Sequence, residues 1–370
     1  MYYPEATNDL FAMAETNEQS DNHKHVLEQG TSFRPNSYLY RVLQPGQDFL
    51  EEDGFSAYTE TVERVRSSGK KVILSIGESS TSGWDTTITP VNRERKSKGL
   101  LPISAFFRYR NFTDILRDLL SNDYEVLNAG VPGHSVLSGV RRLKMLRSLF
   151  ERDGVKVDYT VVHYGNNDCL WEGNFHDSHH LSIRPNSPAR FERFRRLFRP
   201  VRKDKLVLRT TAREFGSYYR RLIGMAKNFG ARAIIVQPEV PIYWKPGSRY
   251  VDYDFDYMAT LPGAKFALTE LDKAKELWAS VIDAPYSPEK IATLTEAVEH
   301  DFLIPRIKRS WLAELQAAAR DTETPLVQTP VPRDEDEKVY FVDYCHPREI
   351  INTRIAEQIV AHVDRLERAR

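Results

Sequence analysis

The strongest constraint on the fold is an alternation that begins near residue 70. Short apolar runs without helical period recur between stretches with helical spacing. KVILSI (71–76), YEVLNAG (124–130), KVDYTVVHYG (156–165) and ARAIIVQPEV (231–240) read as buried strands, and PLVQTP (325–330) as a fifth. Between and after them, 105–120, 135–150, 211–230, 306–320 and 346–370 carry helical patterns. Strands that alternate with helices predict a parallel sheet covered by helices on both faces. Two stretches, 169–208 and 241–305, are too long for ordinary connections, and such insertions commonly build a cap or substrate wall. Residues 1–35 are polar and read as a flexible arm, and 36–68 as an extension beside the core. The expected organisation is therefore an N-terminal extension over 1–68 and one α/β domain over 69–370.

With 370 residues, of which 41% are hydrophobic, the chain can bury a substantial core. Lys+Arg and Asp+Glu each total 52, a balance that gives no reason to expect nucleic acid as a general partner. Cys169 and Cys345 are the only cysteines, so no disulfide framework is expected and two free thiols are favoured over a redox link. The first twenty residues lack a basic region followed by an apolar one, and no run approaches a membrane span. These features predict a soluble, cytoplasmic protein without signal peptide or transmembrane segment. They leave the oligomeric state open.

In an open α/β sheet, ligands bind beyond the carboxyl ends of the strands. Four polar clusters sit there. Gly77-Glu78-Ser79-Ser80-Thr81 follows the first strand, Gly130-Val131-Pro132-Gly133 the second and Gly165-Asn166-Asn167-Asp168 the third. Asp343-Tyr344-Cys345-His346-Pro347 follows the last apolar segment, VYFV (339–342). All four are expected on one edge of the sheet. The chemistry they suggest is acyl transfer. A serine hydroxyl needs a base to take its proton, a histidine does this near neutral pH, and a carboxylate fixes the histidine tautomer. Asp343 and His346 are three apart, so one turn can place the carboxylate beside Nδ1. The developing oxyanion needs preorganised donors, which Gly133, the Asn167 amide and the Ser79 N–H can supply.

These blocks, quoted as they stand, resemble those of the SGNH/GDSL hydrolases, in that family's order. Gly77-Glu78-Ser79-Ser80-Thr81 is similar to GDSxT, and Asn128-Ala129-Gly130-Val131-Pro132-Gly133 to N-x-G-x-x-G. Gly165-Asn166-Asn167-Asp168 matches G-x-N-D, and Asp343 to Pro347 matches D-x-x-H-P. The resemblance runs over about residues 70–365. It implies a three-layer α/β/α sandwich with a central parallel, flavodoxin-like sheet. It implies Ser79 as nucleophile with Asp343 and His346 completing a triad, and Ser79, Gly133 and Asn167 as the oxyanion hole. Glu78 departs from the family's aspartate by one methylene, and Asn352 stands where many members have glycine.

The expected activity is hydrolysis of an O-ester through an acyl-enzyme on Ser79, on a small-molecule, glycan or lipid ester, with no cofactor and no metal. An O-acyltransferase of the same fold, with an acyl acceptor in place of water, is the alternative. A non-catalytic binding module would need a damaged site, and all five positions are intact. Several features have blander readings. Ser135 in Gly133-His134-Ser135-Val136-Leu137 imitates a nucleophile elbow, but Leu137 stands where glycine is needed, so a helix N-cap is expected. Ser80, Thr81 and Asp168 read as loop braces or caps. His176, His179 and His180 read as solvated loop histidines, having no accompanying ligand pattern. RFERFRRLFRPVRKDK (190–205) reads as a cap helix with a solvated basic face, with an anionic substrate, acyl carrier or membrane as the sharper alternative.

Overall fold

The computed structural model describes residues 55–83, 98, 110–173, 206–248, 263–333 and 337–369. The arm at 1–35, the basic stretch 190–205 and His176, His179 and His180 lie outside these residues.

Strand β1 (Lys71–Gly77) is an inner strand of the sheet, second from one edge. It pairs in parallel with β2 (Tyr124–Asn128) on one side, where Ser75 faces Asn128. On the other side it pairs with β3 (Tyr159–His163), where Gly77 faces His163. A short antiparallel pair, β4 (Trp171–Gly173) and β5 (Leu206–Leu208), stands apart from this sheet. The main sheet continues with β6 (Arg232–Val236) and ends at β7 (Leu326–Val327), giving the order β2-β1-β3-β6-β7 with every pairing parallel. This is the flavodoxin-like order, with its switch point between β1 and β3. The alternation read from the sequence thus corresponds to the observed sheet, although β7 spans only two residues.

The sheet is apolar on both faces, which is why its strands read as continuous hydrophobic runs. Val72, Leu74 and Ile76 of β1 point to one side. There they meet Val62 and Val65 of α1 (Phe55–Ser68), together with α4 (Val136–Arg152) and α5 (Ala212–Asn228). Trp311, Leu315 and Ala318 of α8 (Arg309–Asp321) join the same cluster. Ile73, Val126, Val161 and Ile234 point to the other side, against α3 (Phe112–Leu119) and α9 (Glu349–Arg368). Burying one such Val, Leu or Ile side chain stabilises the fold by about 1.5–3 kcal/mol. The product is a three-layer α/β/α sandwich.

Helix starts are set by local chemistry. Asn111 accepts the Thr113 and Asp114 N–H groups at the head of α3. Thr211 and Glu214 form a reciprocal capping box on α5. Ser135 caps α4, as expected, and accepts the Ser138 N–H.

The second insertion holds two helices, α6 (Ala264–Val281) and α7 (Pro288–His300), within its described part. His300 Nδ1 lies 2.5 Å from Glu270 Oε2 and ties them together. At the base of this pair, the Arg306 guanidinium and the Asp301 carboxylate form a fully buried ion pair at 2.7 Å. Arg306 also donates to the Pro241 carbonyl, and Asp301 accepts the Gly247 N–H. Breaking such a buried pair would leave an uncompensated charge, so this arrangement fixes the base of the insertion on the core, although Arg306 Nε finds no partner among the described residues.

One sequence expectation requires correction. The VYFV segment is not a strand of the sheet. Glu337–Val339 forms a single 3-10 turn, and Phe341 makes an isolated antiparallel bridge to Pro347. The chain reverses within a few residues, closed by Val342 N–H to His346 O at 2.8 Å and Arg348 N–H to Tyr340 O at 2.8 Å. So short a reversal leaves no straight length to pair beside β7. Among the described residues, no helix is long and apolar enough to cross a membrane.

Candidate active site

The first three polar clusters follow β1, β2 and β3, and the fourth is the reversal at 341–347. β1 ends at Gly77, and the chain turns into a four-residue helix, α2 (Ser79–Ser82). The turn is tight because Gly77 has no side chain. A Cβ there would lie 2.0 Å from Thr81 Oγ1 and 2.7 Å from the His163 carbonyl. Asn128, at the end of β2, donates its amide to the Thr81 carbonyl at 2.9 Å and accepts the Gly130 N–H at 3.0 Å. Thr113 of α3 also donates to the Thr81 carbonyl. The helix that opens at Ser79 is thus held from two neighbouring elements, and Ser80 and Thr81 are buried within it.

Ser79 Oγ lies 2.7 Å from His346 Nε2. His346 Nδ1 lies 2.7 Å from Asp343 Oδ2. The second carboxylate oxygen, Oδ1, accepts the Cys345 N–H at 2.8 Å and the His346 N–H at 2.9 Å. Two backbone donors on one oxygen therefore leave the other for the imidazole. Asp343 is fully buried, and Ser79 and His346 are nearly so. The Tyr344 ring packs 6.3 Å from the imidazole and in turn edges onto Trp244, 5.9 Å away. Trp244, from the second insertion, therefore backs Tyr344 on this side of the pair.

After β2, Val131-Pro132-Gly133-His134 forms a turn closed by His134 N–H to Val131 O at 3.2 Å. Gly133 has φ +76°, a value that glycine adopts readily at the third position of a type II turn, and Pro132 occupies the second position that proline favours. The turn starts from Val131 N–H donating to Gly77 O at 3.0 Å, so it is tied to the segment that carries Ser79. Asn167 lies on the loop after β3, where Glu78 organises it. Oε2 of Glu78 accepts the Asn167 side-chain amide at 2.7 Å and its backbone N–H at 3.2 Å, while Oε1 accepts the Asn166 N–H at 3.3 Å. Burial raises the Glu78 pKa above the ordinary carboxylate value, while the hydrogen bonds from Asn167 and Asn166 pull the other way. The departure from aspartate thus has a structural counterpart: the longer side chain reaches the next loop. Among the described residues, no group accepts from the backbone N–H of Ser79 or of Gly133.

Asp168 braces the loop. Its carboxylate accepts the Val136 N–H at the start of α4 at 3.0 and 3.1 Å. Asn166 Oδ1 accepts the Ile307 N–H at 3.1 Å, which fastens the loop to the chain leaving the second insertion. Cys169 and Cys345 are both buried free thiols; burial pushes Cys169 up to about 12. Asp343, Cys345 and His346 bring one potential ligand atom each within 4.8 Å of one another. Both imidazole nitrogens are, however, engaged, Nδ1 with Asp343 and Nε2 with Ser79, each at 2.7 Å. Asn352 is buried in α9 and donates to the Pro347 carbonyl at 3.0 Å, so a side chain here steadies the reversal that carries His346.

Two neighbours of this site escaped the sequence reading. His163, at the end of β3, is buried with its Nδ1 3.4 Å from Thr81 Oγ1 and its ring against Phe112. Burial, then the nearby His346, pushes its pKa down to about 4. Its signal was a histidine inside an otherwise apolar strand. Arg209 donates to the Gly133 carbonyl at 2.8 Å. It had no signal, being one of 52 basic residues.

Solved structures similar to this chain include a psychrotrophic esterase, EstA, from a Pseudoalteromonas species, at 10% identity and TM-score 0.40 over 81% of this chain and 100% of that one. A member of the lipolytic G-D-S-L family from Veillonella parvula has 13% identity and TM-score 0.39, over 79% and 97% of the two chains. A carbohydrate acetylesterase family member from Sinorhizobium meliloti has 15% identity and TM-score 0.39, over 80% and 98%. No family model and no curated protein sequence matches the chain.

Proposed function

We propose that the protein is a serine esterase that hydrolyses an O-ester through an acyl-enzyme on Ser79. The observation that carries this reading is the continuous relay from Ser79 Oγ to His346 Nε2 and from His346 Nδ1 to Asp343, both links 2.7 Å long and buried. With the Nδ1 proton donated to Asp343, Nε2 is the acceptor for the Ser79 hydroxyl. As Oγ attacks the ester carbonyl carbon, its proton passes to Nε2, and the carbonyl π electrons move onto oxygen. The N–H groups of Ser79 and Gly133 and one amide hydrogen of Asn167 receive that oxyanion, while the other Asn167 hydrogen stays on Glu78. Collapse expels the alkoxide, which takes the proton from Nε2. Water then repeats the sequence on the acyl-enzyme, with His346 acting as base and then as acid.

The test is labelling with a fluorophosphonate, which phosphonylates an activated serine, followed by peptide mass mapping. The expected label is on Ser79 in the wild type and absent in His346→Ala. A folded wild-type protein that takes no label and hydrolyses no ester would overturn the reading.

A further inference from the structure

The first insertion leaves and rejoins the core through a narrow neck. β4 and β5 pair antiparallel there, Trp171 facing Leu208 and Gly173 facing Leu206. The two residues that follow the neck are fastened on several sides. Arg209 N–H donates to Leu170 O at 2.9 Å, and Thr210 N–H to Asp168 O at 3.2 Å. The Thr210 hydroxyl lies 3.5 Å from Asp168 Oδ1, and Trp311 Nε1 of α8 donates to the Thr210 carbonyl at 3.1 Å. Arg209 therefore leaves a rigid base. From it the guanidinium reaches across to the turn at 131–134 and donates through Nη1 to the Gly133 carbonyl at 2.8 Å. Arg209 itself is 3% exposed.

That turn needs such a partner. Gly133 carries no side chain, and among the described residues the direction a Cβ would take meets no atom within 4 Å. The turn is anchored at its start by Val131 N–H on Gly77. At its end, the Arg209 bond holds the carbonyl of Gly133 itself, so the turn is pinned on both sides of this residue.

We propose that Arg209 is a positioning residue: by holding the Gly133 carbonyl from the neck of the first insertion, it aims the Gly133 N–H at the oxyanion formed over Ser79. This rests on the esterase reading above. Arg209 acts on the transition state through Gly133 and contributes nothing to ground-state binding, so its loss falls on kcat and not on KM. A planar guanidinium holds one acceptor with less freedom than an ammonium, so lysine should serve in part.

The experiment compares wild type, Arg209→Met and Arg209→Lys in the full chain. It measures hydrolysis of p-nitrophenyl acetate, inhibition by trifluoroacetone (whose serine adduct carries the oxyanion) and thermal melting. Expected for Arg209→Met is a fall in kcat of tenfold or more, KM within twofold, and a rise in the trifluoroacetone Ki that matches the fall in kcat. Arg209→Lys should lose less, about threefold. A folded Arg209→Met with kcat within twofold of wild type overturns the proposal, as does a change in KM alone. If Arg209→Met does not fold, an Arg209→Lys protein with unchanged kcat and Ki overturns it. A wild type with neither turnover nor a fluorophosphonate label on Ser79 would overturn the esterase reading, and this proposal with it.

Discussion

Glu78 and Asn167 share a buried hydrogen bond of 2.7 Å between carboxylate and side-chain amide, although they belong to loops after different strands. Three donors, the Asn166 and Asn167 N–H groups and the Asn167 amide, converge on two carboxylate oxygens. Glu78→Gln replaces one acceptor by an NH₂ that faces donors. A buried donor left unsatisfied costs about 1–3 kcal/mol. Urea denaturation of Glu78→Gln should show a loss in that range, and its kcat should fall about tenfold as the Asn167 amide loses its aim.

Asn167 itself offers a cleaner reading of the oxyanion. Asn167→Ala removes one proposed donor and should lower kcat by about 10²–10³-fold with little change in KM. Ser79→Ala and His346→Ala should each remove most activity, measured with the same ester. Full activity in Ser79→Ala would exclude the mechanism outright.

Two glycines flanking the site should lose stability on substitution by alanine for different reasons. At Gly133 there is space for a methyl but a φ of +76°, so Gly133→Ala should cost the strain of the left-handed region, about 1–2 kcal/mol. At Gly130 a methyl would lie 2.5 Å from the Ser82 nitrogen and 2.8 Å from the Thr81 carbonyl carbon. Backbone must move there, and it is the backbone of the helix that opens at Ser79. Chemical denaturation should find Gly130→Ala the more destabilised, and its activity should fall further than its stability explains.

His163 makes stability depend on acid. Its folded pKa is about 4, against about 6.5 for the free side chain. Between those values the unfolded chain holds a proton that the folded one does not, so stability falls as pH drops through the window. Glu78 works the other way, since a raised carboxyl pKa favours the folded state at low pH and loses that contribution as pH rises through the folded value. Comparison with His163→Gln cancels the Glu78 effect. Between pH 7 and pH 4.5 the wild type should lose about 2–3 kcal/mol more than the variant, read by urea denaturation at each pH.

What the sequence revealed and what it hid divide along physical lines. Strands β1, β2, β3 and β6 were legible because both faces of the sheet are covered and their residues are almost uniformly apolar. The clusters after them were legible because each is local, a few consecutive residues at a strand end. Helix α6 was not read within the insertion because its buried positions are mostly alanine, Ala264, Ala267 and Ala274 with Leu271, which give little apolar contrast. VYFV was misread because apolar residues packing around a tight reversal look like a strand in sequence. The reach of Glu78 to Asn167, or of Arg209 to Gly133, depends on how loops approach one another, and no spacing encodes that.

The bond between Ser79 and His346 joins positions 267 residues apart. A loop that long is closed late in folding, because its entropic cost precedes any local reward. Helices and the β1–β2–β3 pairings can form before the chain's last quarter docks, yet none of those partial structures contains the relay. In a refolding experiment, the return of esterase activity would therefore lag behind the return of helical signal, making this contact a clock for completion of the fold.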